Sequence, residues 1–121
     1  MFGWFGGPDR EARQLNRDAP RIIETAHHSY RAEILRDIAL LTRRELKDSI
    51  ERLEQFPEQR TEAIRRYQSQ HREARRRNDQ MSLTAYTLVI IYLRAGGLGA
   101  AAAPAQQSIE SFLDQWEHAA D

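Results

Sequence analysis

At 121 residues the chain is one domain's worth, and its 18 basic and 18 acidic side chains cancel, so no overall field draws it onto nucleic acid or anionic lipid. The absence of cysteine excludes disulfides, thiol catalysis and cysteine-ligated zinc or iron–sulfur centres together. Every basic residue except Lys47 is arginine, which reads as compositional bias rather than function.

The amino terminus, MFGWFGGPDREAR, lacks the basic start and apolar run of a secretory signal, and Asp9 brings in an acid early. Cytoplasmic residence is the expectation. Residues 1–7 read as a flexible tail; its Phe2, Trp4 and Phe5 make a weak bilayer anchor, because five residues with two glycines cover little surface. A short helix is predicted over 8–17, with Leu15 its one large apolar residue. Asp18 as N-cap and Pro20 in the first turn then open a long helix over 19–56, since Pro57 disfavours helical geometry at Phe56. Ile23, Tyr30, Ile34, Ile38, Leu41, Leu46, Ile50, Leu53 and Phe56 lie near one side of it.

From Pro57 to Ala95 the positions Ile64, Tyr67, His71, Ala74, Asn78, Met81, Ala85, Leu88, Tyr92 and Ala95 alternate steps of three and four. That heptad seam predicts one uninterrupted helix over 58–95, in preference to two helices with Ser82 capping the second. Two rods of about 55 Å each fold back as an antiparallel hairpin, with Leu46 level with Tyr67 and Ile23 level with Ile91. Residues 43–77 become a polar stalk. The oily run LVIIYL (88–93) is sheltered at the open end beside Ile22, Ile23, Ala26 and Tyr30. A Gly/Ala loop over 96–103 leads into a C-terminal helix over 104–120, whose Ile109, Phe112, Leu113 and Trp116 cover that run. The expected class is all-α: residues 1–121 as a single helical domain, four-helix-bundle-like, open to completion by dimerisation.

Several chemistries can be weighed against this scaffold. A membrane span over 83–103 is opposed by Arg94 and three glycines, against the roughly 20 apolar residues a span requires. Gly97, Gly99 and Ala102 fit G-x-G-x-x-A, but the chain has no room for the second strand and acid of a dinucleotide fold. Glu24 and His27 have E-x-x-H spacing, yet His71 is the only candidate on the second long helix, and a di-iron site needs a second pair and two further acids. No cofactor or metal is expected, and no enzyme.

Two readings remain. Seam positions that a bare two-helix stalk cannot bury, Ile50, Leu53, Phe56, Ile64, Tyr67 and His71, suggest an interaction module that pairs with itself or with a partner helix. Alternatively, Arg36, Arg43 and Arg44 join Arg72, Arg75, Arg76 and Arg77 in a patch for nucleic acid or another polyanion. The C-terminal acids Glu110, Asp114 and Glu117, beside this arginine-rich stretch, offer an internal or an intersubunit contact.

Overall fold

The structure is a computed structural model and describes residues 7–119. The MFGWF tail therefore lies outside the described residues. Five α-helices follow one another among them: α1 (Gly7–Ser29), α2 (Ala32–Gln55), α3 (Arg60–Arg76), α4 (Gln80–Gly97) and α5 (Ala103–Trp116). Short 3₁₀ turns at Pro57–Gln59 and Gly99–Ala102 lead into α3 and α5, and no strand occurs among the described residues. The all-α class and the helical-bundle packing read from the sequence are those of the structure; the helix boundaries differ in three places.

First, the separate helices over 8–17 and from 19 onward are one helix. A proline inside a helix costs about 3 kcal/mol, and Pro20 sits inside α1. The offset is burial: Ala12, Leu15, Ala19, Ile23 and Ala26 form one stripe that crosses the proline unbroken and packs inward. Asp18 caps nothing; it pairs with Arg21 at 2.9 Å.

Second, the rod over 19–56 is interrupted at Tyr30 and Arg31. Arg31 is extended (φ −75°, ψ 167°) and α2 begins after it with no side-chain cap. The bend frees α1 to pack on α5 while α2 turns its own stripe, Leu35, Ile38, Ala39, Thr42, Leu46, Ser49 and Leu53, towards α4. At its far end α2 stops at Gln55 with Phe56 as cap, where Pro57 had placed the boundary.

Third, and with the largest consequence, the helix over 58–95 reverses at 77–79. Asn78 takes up the left-handed conformation (φ 57°). The Asn78 N–H donates to the Arg75 carbonyl (3.1 Å) and the Asp79 N–H to the Ala74 carbonyl (2.9 Å), the paired bonds of a Schellman stop. Asp79 then starts α4 as its N-cap, accepting from the Ser82 N–H (3.1 Å) and hydroxyl (2.7 Å). These bonds hold the Asp79 pKa below the usual carboxylate value. A left-handed residue costs about 1–2 kcal/mol, less for Asn, and two recovered backbone bonds at about 0.5–1.5 kcal/mol each offset it.

The reversal removes the stalk. Residues 60–76 fold back along α4 and bury Ala63, Tyr67 and Ala74 there, leaving their charged neighbours outside. α2 and α3 still meet near the predicted level: the Tyr67 hydroxyl lies between the Ser49 hydroxyl (3.0 Å) and the Glu45 carbonyl (3.3 Å), flanking Leu46. The oily run is now explained differently. Ala85, Leu88, Val89, Ile91, Leu93 and Ala95 are buried over a little more than half the circumference of α4, a wider apolar face than that of a surface helix. α4 contacts each of the other four helices, and Leu93 approaches Ile50 and Leu53 of the supposed stalk.

α5 presents Ala105, Ile109, Phe112 and Leu113 to the core, largely the face predicted for it. It runs parallel to α1 and is tied to it at both ends. At one end the Asn16 amide donates to the Ala101 carbonyl and accepts from the Ala105 N–H, both at 2.9 Å. At the other the Trp116 indole donates to His27 Nε2 at 2.8 Å.

Candidate anion-binding groove

Because α3 and α4 are antiparallel neighbours about a tight turn, each presents a stripe at helical spacing to the same side. Ile64, Arg65, Gln68, His71, Arg72 and Arg75 come from α3; Thr87, Ile90, Ile91 and Arg94 come from α4. Between them lie two adjoining clefts of ≈ 490 Å³ and ≈ 360 Å³ that share Gln68 and Arg94. From Thr61 to Arg75 the stripe on α3 is about 20 Å long at 1.5 Å per residue. Glu11 of α1 is the single acid lining this groove, beside five arginines.

The groove gathers arginines that have no acid beside them, a state that Arg10, Arg13, Arg31, Arg52 and Arg66 share singly elsewhere on the surface. Among the described residues, Arg65, Arg72, Arg75 and Arg94 are exposed and have no carboxylate partner. The rest of the sequence-level patch is largely neutralised. Arg76 pairs with Glu73 at 3.0 Å, Arg77 with Asp79 at 3.6 Å and Arg44 with Glu45 at 3.5 Å. Arg43 reaches across to α5, meeting Glu117 at 2.8 Å and Asp114 at 3.1 Å. Burial works against the Arg43 charge, but its bonds to these two acids outweigh that and raise its pKa. Arg36 is half-buried on α2 and does not line the groove. So the patch divides: Arg72 and Arg75 face the groove, while Arg43 and Arg44 serve internal contacts.

His71 has a determinable proton position. The Thr87 hydroxyl donates to the Leu83 carbonyl at 2.7 Å, so at its 3.1 Å contact with His71 Nε2 it must accept, and Nε2 carries the hydrogen. Burial first, and then the nearby Arg75 charge, lower the His71 pKa. A neutral imidazole therefore sits on the groove wall at neutral pH.

One end of the groove is shaped by Arg60, whose Nη1 donates to the Leu93 carbonyl at 2.7 Å near the C-terminus of α4, where a cation is favoured. Gly96 and Gly97 permit this. A Cβ on Gly96 would lie 2.8 Å from Arg60 Nη1 and 3.2 Å from Gln106 Nε2, and one on Gly97 3.1 Å from Arg60 Cδ. The glycines read from sequence as a loop thus serve as a docking surface for Arg60 on a helix end. With Gly97 helical, Gly99 at φ +64° and no strand before them, they form no phosphate loop.

The proposed seam residues do not share one surface. Leu53 and Tyr67 are core at 6% and 4% exposure, and burial raises the Tyr67 pKa. Ile50 is half-buried beside Leu53 and Tyr92, Phe56 is exposed at the α2–α3 corner, and only Ile64 and His71 line the groove.

The other histidines are engaged elsewhere. His27 stacks near Phe112 and Trp116, while Glu24 lies 3.7 Å from His28, so the E-x-x-H pair is split. Among the described residues no group of three or more His, Cys, Asp or Glu is arranged to hold a metal ion, and no helix is long and apolar enough to cross a membrane. Residues 83–103 are divided among α4, the turn after it and the first residue of α5. Compared with known proteins, the chain matches no family model, no curated protein and no solved structure.

Sequence reasoning missed Arg65, Arg94, Thr87, Ile90 and Ile91 as groove residues. The signal that finds them is the turn: once the chain reverses at Asn78-Asp79, residues equidistant from it face each other, as His71 and Thr87 do.

Proposed function

We propose that the protein is a non-enzymatic, cytoplasmic binding module that holds an anionic partner in the α3–α4 groove through Arg65, Arg72, Arg75 and Arg94. The observation that carries this is clustering: four arginines with no carboxylate partner among the described residues line one groove beside a single acid, Glu11. The fold pairs Arg43, Arg44, Arg76 and Arg77 with its own acids, yet keeps four arginines on one groove unpaired. Like charges held together without partners raise the energy of the free protein and lower that of an anionic complex. Self-association through the seam has less support, because Leu53 and Tyr67 are covered by the chain's own helices.

The test is binding of two chemically different polyanions, poly-glutamate and a short DNA duplex, by fluorescence anisotropy over a salt series. If four arginines make the contact, the logarithm of affinity for the duplex falls with that of salt with a slope of about −3 to −4. Arg72→Glu with Arg94→Glu abolishes binding of either probe, and Arg76→Glu, on the already paired arginine, largely preserves it. Failure of both probes to bind at low salt overturns the proposal.

A further inference from the structure

We infer that the occupant of the groove is an acidic amphipathic helix from a partner protein, an inference that rests on the anion-binding reading above. The groove is more than a basic strip. Its floor includes half-buried Ile64, Ile90 and Leu98, with the arginines standing along both rims. The α3 stripe and the α4 stripe each recur at three- and four-residue spacing, and two such antiparallel stripes make the slot into which a third helix packs in a bundle. The length agrees: a groove of about 20 Å accepts a helix of about 14 residues, four turns. Such a helix sets Leu or Ile at i, i+3 or i+4 and i+7 on the isoleucine floor, and Glu or Asp at the flanking positions towards Arg65, Arg72, Arg75 and Arg94.

Nucleic acid fits the same groove less well. No Phe, Tyr or Trp lines it on which a base could stack, its one ring being the His71 imidazole held to Thr87, and an apolar floor gives a phosphate backbone nothing. The C-terminal acids of a second copy are already engaged within their own chain. Asp114 and Glu117 of α5 are engaged with Arg43, and Glu110 accepts from the Tyr92 hydroxyl at 2.6 Å.

The experiment uses the full chain and three labelled probes by anisotropy at physiological salt: a designed acidic amphipathic peptide, the same composition scrambled to destroy the stripe, and a short DNA duplex. The expected result is at least tenfold tighter binding of the amphipathic peptide than of the other two, with helical circular dichroism gained on binding. Ile90→Ser and, independently, Arg94→Ala should each weaken it several-fold; Arg94 is exposed, so its replacement leaves the fold intact if Ile90→Ser does not. Equal affinity for the amphipathic and scrambled peptides overturns the helix inference while the anion-binding reading stands, and so does tighter binding of the duplex. A dimer in sedimentation that Arg72→Glu dissociates overturns it in favour of a second copy. No binding of any probe overturns both readings.

Discussion

Replacement of Asn16 measures how the bundle is closed. Its carboxamide joins α1 to the start of α5, donating to the exposed Ala101 carbonyl and accepting the N–H of fully buried Ala105. In Asn16→Ala the Ala101 carbonyl is rehydrated, so its loss is worth about 0.5 kcal/mol at the low end for a hydrogen bond. The Ala105 N–H has no such recourse. Leaving a buried donor unsatisfied costs about 1–3 kcal/mol, and loss of an ordinary N-cap about 1 kcal/mol; these are two views of one bond, not additive. The expected destabilisation is about 2 kcal/mol, or a Tm lower by roughly 6–10 °C for a chain of this size. Asn16→Asp separates the two bonds. It keeps the acceptor, now with a negative charge at a helix N-terminus worth about 0.3–1 kcal/mol, and loses only the donor to Ala101. Its destabilisation should stay below about 1 kcal/mol on the same grounds. Urea unfolding followed by helical circular dichroism gives both values. If Asn16→Ala falls within 0.5 kcal/mol of the parent, or Asn16→Asp is as damaging as Asn16→Ala, the bidentate tie is not what holds α5, taking about 0.5 kcal/mol as the usual spread of neutral surface changes.

The α3–α4 turn should accept Asn78→Gly with little change and lose about 1–2 kcal/mol or more on Asn78→Val, because a β-branched residue resists the left-handed conformation; equal stability of the two variants in urea would refute the Schellman stop. Gly96→Ala ought to stabilise a helix by up to about 1 kcal/mol on propensity alone. Here its Cβ displaces Arg60 and Gln106 from the Leu93 and Tyr92 carbonyls, so a net loss of about 1 kcal/mol is expected, and a stabilised variant would show that the α4 end is not packed by them. His71 in the fold resists the proton that an unfolded chain accepts at its ordinary imidazole pKa, with Arg72, Arg75 and Arg94 around it. Unfolded molecules therefore bind more protons as pH falls below about 6.5, and stability declines over that window; His71→Gln should flatten the decline in paired melts at neutral and acidic pH. At the alkaline end, burial and the Glu110 hydrogen bond push the Tyr92 pKa up to about 12, so the unfolded chain ionises first and stability falls as pH rises above the ordinary tyrosine value; a Tyr92→Phe variant with an unchanged alkaline profile would contradict this.

Much of this fold is legible in the residues because helical periodicity is a local signal that burial rarely overrides. Ile109, Phe112 and Leu113 can only form one face of a helix, and Pro57 can only end the one before it. The bend at Tyr30-Arg31 is of another kind. Neither a glycine nor a proline marks it, and α2 starts without a side-chain cap, so the break is imposed by two hydrophobic stripes that need different neighbours. Asn78 and Asp79 lie between these cases. A residue tolerant of left-handed backbone followed by an acid three positions before Ser82 is a turn signal written in plain chemistry. It was outweighed by a heptad pattern that runs through the turn in phase, since a three-residue reversal can preserve the spacing of apolar positions while reversing the chain. The groove inherits that miss. Arg65 and Arg94 lie far apart in sequence and come together only once α4 lies beside α3.

A net charge of zero conceals how that charge is distributed, and the distribution follows from the topology. α4 is covered by its neighbours on its widest face, and its one charged residue, Arg94, emerges where α3 and α4 leave their outer side uncovered. α3 contributes six arginines and two glutamates within its bounds, and only three of its residues turn inward, so positive charge collects on this side. The acids of α5 are directed to Arg43 and Tyr92 on the other side of α4 and cannot reach the groove.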